Sequence, residues 1–166
     1  MPSFSVNPHR LDPYKNFKFQ VIVDGQIVPG VSTVGPLKRR TATILYRDGN
    51  FANHSVAAPG VTEFEPLTIE RGITHDKTFE TWAALAYGGT SGAGMSLKNF
   101  RKNLRINLLN EQGLVVRSYM VYRAWVSEYT ALPVLNASAN EVAIETIMLT
   151  YEGFEIDASV PEPSET

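Results

Sequence analysis

The chain has 166 residues, of which 43% are hydrophobic and 19% are charged, and its formal net charge is −2 at pH 7. This length suits one domain with its own core, and this composition is typical of a folded globular protein. The small acidic net charge argues against a nucleic-acid-binding module, because such modules carry a basic excess. The absence of cysteine excludes disulfides, thiolate metal sites and a cysteine nucleophile.

The N-terminal residues lack the features of a secretory signal. Residues 1–8 combine two prolines with polar side chains, without a basic start followed by a continuous apolar stretch. No segment of the sequence approaches the roughly 20 apolar residues that a membrane span needs. We therefore expect no signal peptide and no membrane anchor, and a protein that stays in the cytoplasm or leaves it as part of a larger particle.

Two strands are predicted near the N-terminus. In residues 17–23 apolar and polar side chains alternate, and the run ends at an Asp-Gly pair that is typical of a hairpin turn. Residues 27–34 continue as a short return strand that a Pro-Gly pair interrupts.

A long loop is predicted between the next two strands. Residues 37–47 are rich in β-favouring side chains, and their predicted partner is residues 64–71, where Leu67 and Ile69 share one face. Residues 48–63 would form the loop between them. Because structureless loops of this length are uncommon in compact domains, we expect this one to have a function.

One helix is predicted after residue 72. Four apolar side chains recur there at the spacing i, i+3, i+4 and i+7, which makes a single apolar stripe. They are Phe79, Trp82, Ala83 and Ala86. Thr74 or Asp76 is the expected N-cap, and the helix should stop at Gly88.

The C-terminal half reads as three further strands, residues 100–109, 114–126 and 142–156, with a hairpin turn at residues 110–113. With no internal repeat and no βαβ alternation, the predicted fold is mainly β: an antiparallel β-barrel or sandwich with one packed α-helix. Residues 158–166 are polar and rich in proline, so we expect them to be disordered.

Motifs for catalysis and metal binding are weak. The glycine-rich run at residues 88–94 has P-loop-like spacing but lacks the required lysine, so a flexible connector is favoured. The three histidines are isolated in the sequence, which argues against a metal site. His75 and Asp76 could form an acid–base pair, although aspartate at a helix start usually serves the cap. We therefore predict no catalytic, cofactor-binding or metal-ligating residues.

Two surface features leave alternatives open. Arg39, Arg40 and Arg47 could bind phosphate or could protect an exposed strand edge by their charge. Trp125, with Tyr122 and Tyr129 near it, could form an aromatic platform for a glycan or another small ligand, or could belong to a core or interface. A monomeric β-barrel binding module is therefore the main alternative function.

Four sequence blocks resemble one family of assembly proteins. They are residues 12–19 (DPYKNFKF), residues 30–34 with 37–41 (GVSTV and LKRRT), residues 59–76 (PGVTEFEPLTIERGITHD) with Phe79, Glu80 and Trp82 behind them, and residues 135–146 (LNASANEVAIET). In this order they are similar to the tail tube proteins of contractile phages, R-type bacteriocins and extracellular contractile injection systems. That family is related in fold to the haemolysin-coregulated protein of type VI secretion.

The resemblance implies a structural subunit, not an enzyme, that forms hexameric rings stacked into a tube around a hollow bore. Implied partners are other copies of the chain, a contracting sheath protein, baseplate and terminator or cap proteins, and a cargo or tape-measure protein in the bore. The resemblance also implies assembly in the bacterial cytoplasm followed by incorporation into a phage tail or a phage-tail-like particle.

The resemblance also assigns regions and residues. It divides the chain into an N-terminal extension (1–11), a tail-tube domain (12–157) and a disordered C-terminal tail (158–166). The long loop would contact other subunits, and the long strands would line the bore. The expected inter-subunit residues are Asp48, Gly49, Phe51, Pro59 and Gly60, and the expected bore-facing residues are Thr41, Thr43, Thr68 and Glu70.

Overall fold

The computed structural model describes residues 4–47, 49–50, 54–88 and 98–164. Within these ranges the chain forms ten β-strands and one α-helix. In chain order they are β1 (Phe19–Val23), β2 (Gln26–Ile27), β3 (Val31–Val34), β4 (Arg39–Tyr46), β5 (Val56–Phe64), β6 (Leu67–Gly72), α1 (Thr78–Tyr87), β7 (Lys102–Leu109), β8 (Val115–Thr130), β9 (Ile144–Thr150) and β10 (Gly153–Ile156). The predicted mainly β class with one helix is confirmed.

Eight strands form the body of the molecule. Seven of them follow the order β2-β1-β7-β8-β9-β6-β3, and β10 pairs with β8 beside that path. Every pairing is antiparallel. The 16-residue strand β8 joins two halves of the body, because β7 pairs with its first part and β9 with its last part.

The strand β8 bends where its partners change. Arg123 has a φ of +52°, a left-handed conformation that is uncommon for a residue with a side chain. Its backbone N–H donates to Oδ1 of Asn103 at 3.1 Å, which satisfies a donor that the ladder leaves free there. Beyond this point β8 leaves β7 and continues along β9, so the kink lets one strand serve both halves of the body.

The core lies between these two halves and α1. The first half contributes Val21 and Leu104, which are 1% exposed, and the second half contributes Leu67 and Ile69, which are fully buried. Leu67 and Ile69, which the sequence places on one face of their strand, thus both lie in the core. The core cluster is completed by side chains from α1 and from the last strands, notably Phe79, Trp82, Ile147 and Leu149.

A buried arginine ties the helix to the second half of the body. The Arg71 guanidinium on β6 donates to the Glu145 carboxylate on β9 and, at 3.1 Å, to Oδ1 of Asp76 just before α1. It also lies 4.2 Å from the centre of the Phe79 ring. Tyr129 on β8 donates to the second carboxylate oxygen of Glu145 at 3.1 Å. One cation therefore holds three strands and the start of the helix in fixed positions.

The terminal segments meet on the body surface. Ser5 Oγ, Val6 N and Asn7 Nδ2 donate to the Glu162 carboxylate at 2.9, 2.8 and 3.0 Å. Residues 158–164, which the sequence predicts to be disordered, thus run beside the N-terminal extension, while residues 165–166 lie outside the described residues. No helix in the described ranges has the length and apolar character needed to cross a bilayer.

One strand pairing predicted from the sequence is wrong. The strand β4 pairs with β5, and β6 pairs instead with β9 and β3. Half of the predicted long loop, residues 56–63, is therefore strand, which leaves only residues 47–55 between β4 and β5.

Replacing Arg71 with methionine should destabilise the fold strongly. The change keeps much of the side-chain volume but leaves the Glu145 carboxylate buried without its cation, and such a loss typically costs about 3–5 kcal/mol. We expect a loss of this size in the free energy of unfolding, measured by urea titration. As a control, Arg105→Met removes a half-exposed arginine whose Nη1 lies 3.5 Å from Asp157, and should cost about 1 kcal/mol or less. Equal losses for the two variants would contradict this account.

Candidate functional site

The strands β4 and β5 form a hairpin outside the body, which we call the arm (described residues 39–47, 49–50 and 54–64). The arm is a separate two-stranded sheet, and all eight residues of β4 are exposed. Leu45 and Val61 are 71% and 72% exposed. An isolated two-stranded hairpin is marginally stable in water. We therefore expect an exposed apolar arm of this length to be stabilised by packing against another surface.

The arm is fixed to the body at its base. Glu65 N donates to the carbonyl oxygen of Lys38 at 3.0 Å, and the two side chains form an ion pair at 3.1 Å. The Phe64 ring packs against Tyr151 and Phe154, each with a centroid distance of 5.8 Å. The direction in which the arm leaves the body is therefore set by packing, while its outer part projects.

One face of the arm is apolar. In the register of the hairpin, Ile44 lies opposite Ala58 and Tyr46 lies opposite Val56. Ile44 and Tyr46 are each 54% exposed. We call these four residues the apolar face of the arm. A cluster of this kind, displayed at the end of a hairpin, is typical of a contact surface.

The opposite face carries hydroxyl groups near the base of the arm, and Leu45 and Ala57 nearer the turn. Thr41 and Thr62 are directly opposed, with their Oγ1 atoms 2.9 Å apart, and Thr43 follows on the same side of β4. The predicted bore-facing residues Thr41 and Thr43 thus share this polar face, whereas Thr68 and Glu70 lie on β6 in the body.

The body residues Thr68 and Glu70 lie on the face of β6 that points away from the core. Thr68 is opposite Met148, and Glu70 is opposite Thr146 and Thr33. All five side chains are partly or fully exposed. The second half of the body therefore has a buried apolar face and an accessible, largely hydroxyl-bearing one.

The predicted inter-subunit residues fall in different places. Gly49 lies in the turn between the arm strands and is exposed, whereas Asp48 and Phe51 lie outside the described residues. Contrary to the loop prediction, Pro59 and Gly60 lie inside β5. Proline fits there because β5 is an edge strand, where a missing N–H donor costs nothing.

Gly60 allows the two arm strands to approach closely. A Cβ at this position would come within 3.1 Å of both the Ala42 carbonyl oxygen and Ile44 Cγ1. The register of the hairpin shifts at this point, between Thr41 and Thr43, which identifies a bulge. The glycine therefore serves the twist of the arm.

The arm is basic. Arg39, Arg40 and Arg47 are exposed, and none of their side chains makes an ion pair or hydrogen bond with another described residue. The described part of the arm contains one carboxylate, that of Glu63. The arginines thus flank the free strand edges, as the edge-protection interpretation expects.

Asp76 serves the helix and the buried arginine. Its Oδ1 accepts the Thr78 N–H at 2.8 Å, although Lys77 is the residue that borders α1. The hydrogen bonds from Thr78, followed by the Arg71 guanidinium, lower the pKa of Asp76 to about 2. A carboxylate held so firmly ionised is a poor proton donor or acceptor near neutral pH, so the geometry does not support an acid–base pair with His75.

Among the described residues, no group of three or more potential ligands is placed to hold a metal ion. Trp125 contacts Phe100 edge to face, with a centroid distance of 6.2 Å, and lines a groove beside α1. Tyr122 lies elsewhere on β8 and donates to Glu155, so it does not join Trp125 in one platform.

A family model decides the identity of the fold. The model of the T4-like virus tail tube protein gp19 matches residues 15–155 of this chain. The chain belongs to this tail tube family. It is accordingly a structural tube protein and not an enzyme.

Solved structures share this fold. A chain of the anti-feeding prophage tube-terminating cap is 25% identical, with a TM-score of 0.73 over 89% of this chain and 93% of that chain. A chain of the sheath–tube complex of the extracellular contractile injection system PVC, in its extended state, is 23% identical, with a TM-score of 0.72 over 88% and 92%. Hcp1 from Flavobacterium johnsoniae is 13% identical, with a TM-score of 0.52 over 87% and 98%. The search of individually curated proteins finds no match.

The tail tube protein's second arm strand is the feature that sequence reasoning missed. Residues 57–60, Ala-Ala-Pro-Gly, are poor strand formers, so propensity gives no signal for β5. The groove beside Trp125 was missed because it is built by tertiary packing of α1 on β8.

Replacing Asp76 with asparagine should remove an acid-dependent part of the stability. Because the folded-state pKa lies below the ordinary value of 3.8, the ionised carboxylate stabilises the fold fully above that value. This contribution is lost as the pH falls from 3.8 towards about 2. The difference in unfolding free energy between the native chain and Asp76→Asn should therefore be constant near neutral pH and shrink in acid. Asp12→Asn, at an exposed position, is the control. A pH-independent difference would contradict the assignment.

Proposed function

We propose that this tail tube protein forms the inner tube of a contractile injection particle. Six copies would form a ring, the rings would stack around a hollow bore, and a contracting sheath would drive the tube into a target envelope. The observation that carries this proposal is the exposed arm of a chain in the tail tube family, with both outer edges unpaired in the described structure. Free edges of this kind are completed by strands of other chains.

We infer that the arm makes the contacts between subunits. The residues proposed for these contacts are Gly49, Pro59 and Gly60, together with Asp48 and Phe51 outside the described ranges. Support comes from the isolation of the arm, since in the described structure no body strand pairs with it. Docking the apolar face would remove exposed aliphatic and aromatic surface from water, worth about 25 cal/mol per Å² before the costs of association.

The bore would be lined by the polar faces of the chain. We assign Thr41, Thr43, Thr68 and Glu70 to it. These residues carry short hydroxyl side chains and one carboxylate on surfaces with no apolar cover in the described structure. Apart from Leu45, which shares the Thr41 and Thr43 side of β4, a wall of this kind stays hydrated and offers few apolar contacts to material that moves along it.

The remaining partners of the proposed particle are a sheath protein, a baseplate, a terminator or cap protein, and a cargo or tape-measure protein in the bore. Solved chains of similar fold come from a baseplate, a tube-terminating cap and a sheath–tube complex. Assembly would take place in the bacterial cytoplasm, before the tube becomes part of a phage tail or phage-tail-like particle.

Removing the outer part of the arm should abolish assembly without unfolding the body. Thr41 and Thr62 are directly opposed, so an Asn-Gly turn can replace residues 42–61 between them. We expect the variant to keep its unfolding free energy within about 1 kcal/mol, because the arm adds little to the core. Electron microscopy should show no rings or tubes.

A double substitution tests the apolar face of the arm without shortening the chain. Ile44→Asp with Tyr46→Asp places charges on the apolar face and should also prevent assembly, whereas Ile27→Asp, at an exposed apolar residue of the body, should not. Tubes of normal appearance from the shortened chain would contradict the proposal. A native chain that stays monomeric and binds a small ligand near Trp125 would favour the binding-module alternative.

A further inference from the structure

A groove lies between α1 and the last part of β8. Its volume is about 520 Å³, and its apolar lining includes Ala83 and Tyr87 from the helix and Trp125, Val126 and Tyr129 from the strand. Tyr87 is 67% exposed, so the groove is open along one side. Apolar surface of this extent on a tube subunit is typical of a site that contacts another molecule.

The charge of the groove is acidic. Glu80 and Glu128 are the charged residues of its lining. Both are exposed, and neither carboxylate makes an ion pair or hydrogen bond with any other described residue. The groove therefore offers an apolar floor with two free carboxylates, the opposite charge to the arm with its three free arginines.

The groove also borders a free strand edge. The pairing of β7 with β8 ends at Ala124, and β9 covers one edge of residues 125–130. In the described part of the chain no strand pairs with the other edge. A strand that enters the groove could thus bond to the β8 backbone as well as bury its side chains.

The arm and the groove lie at opposite edges of the same half of the body. That half has the order β8-β9-β6-β3, with the groove at the β8 edge. The arm leaves the chain directly after β3, at the other edge. Each copy thus displays one donor and one separate acceptor, and a head-to-tail contact between such surfaces can build closed rings.

We propose that the groove between α1 and β8 receives the arm of a second copy of this chain. The apolar face of the arm packs on the floor around Trp125, and arginines of the arm meet Glu80 and Glu128. This inference rests on the proposed tube function and names the acceptor for its arm. Matching apolar surface, opposite charge and free strand edges on both sides support a second copy over a different protein.

Charge reversal provides the test. One variant reverses the arm (Arg40→Glu with Arg47→Glu), and the other reverses the groove (Glu80→Lys with Glu128→Lys). Each alone should raise the protein concentration needed for assembly by about 100-fold or more, because like charges then face each other. An equimolar mixture should restore assembly, since each arm then finds an oppositely charged groove on the other variant. Asp12→Lys with Glu141→Lys makes the same change in net charge as the groove variant at other positions and should assemble normally.

Cysteine cross-linking gives a second readout, because the native chain has no cysteine. A chain with Ala58→Cys on the apolar face of the arm, mixed with one carrying Ser127→Cys in the groove, should give a disulfide-linked heterodimer. Ala158→Cys in place of Ser127→Cys should not.

The outcomes separate this inference from the proposed function. Assembly by the reversed variants alone, failure of the mixture, loss of assembly in the net-charge control, or absence of the cross-link would overturn the docking of the arm. In each of these cases native tubes would still uphold the tube function. A native chain that forms neither rings nor tubes would overturn both.

Discussion

The arm has backbone N–H and C=O groups at its outer edges that no described strand pairs with, and the rest of the structure is built around this constraint. The strands β4 and β5 pair with each other along one side. Within the described residues, their outer edges present unpaired N–H and C=O groups, and Ile44, Leu45 and Tyr46 are exposed. In water such a hairpin is marginal, and in solution its edges invite uncontrolled pairing. A subunit of an assembly can use both properties, because a neighbour supplies the missing pairing and the free energy that makes the arm stable.

An arm of this kind is useful only if its base is rigid. The Phe64 ring packs against Tyr151 and Phe154, and the Lys38 to Glu65 contacts close the base. Behind it, the buried Arg71 joins β6, β9 and the start of α1, so that the edge from which the arm leaves and the helix beside the groove belong to one packed unit. A ring requires such rigidity, since small angular errors in a head-to-tail contact accumulate and prevent closure. A buried ion pair contributes little net stability in general, so a role in fixing relative orientation is a physical reason for its presence here.

The sequence predicts well the elements whose periodicity is strong. The stripe from Phe79 to Ala86 identified the helix, and the alternation around Leu67 and Ile69 identified a core strand. The sequence did not predict β5, because Ala-Ala-Pro-Gly has low strand propensity and the pairing with β4 is decided by the bulge at Gly60. The kink at Arg123 was also hidden, since nothing in a single arginine signals a positive φ. The same holds for the candidate site. The sequence identified the segment that carries the arm, but not the groove, because the groove depends on how α1 packs on β8.

Negative-stain electron microscopy of the purified native chain, with light scattering to determine its mass, tests the central claim most directly. The account predicts sixfold rings or stacked tubes with a central channel, at a mass that is a multiple of the 18.4 kDa chain. A chain that remains strictly monomeric at high concentration, with its arm exposed and no rings in any field, would contradict it.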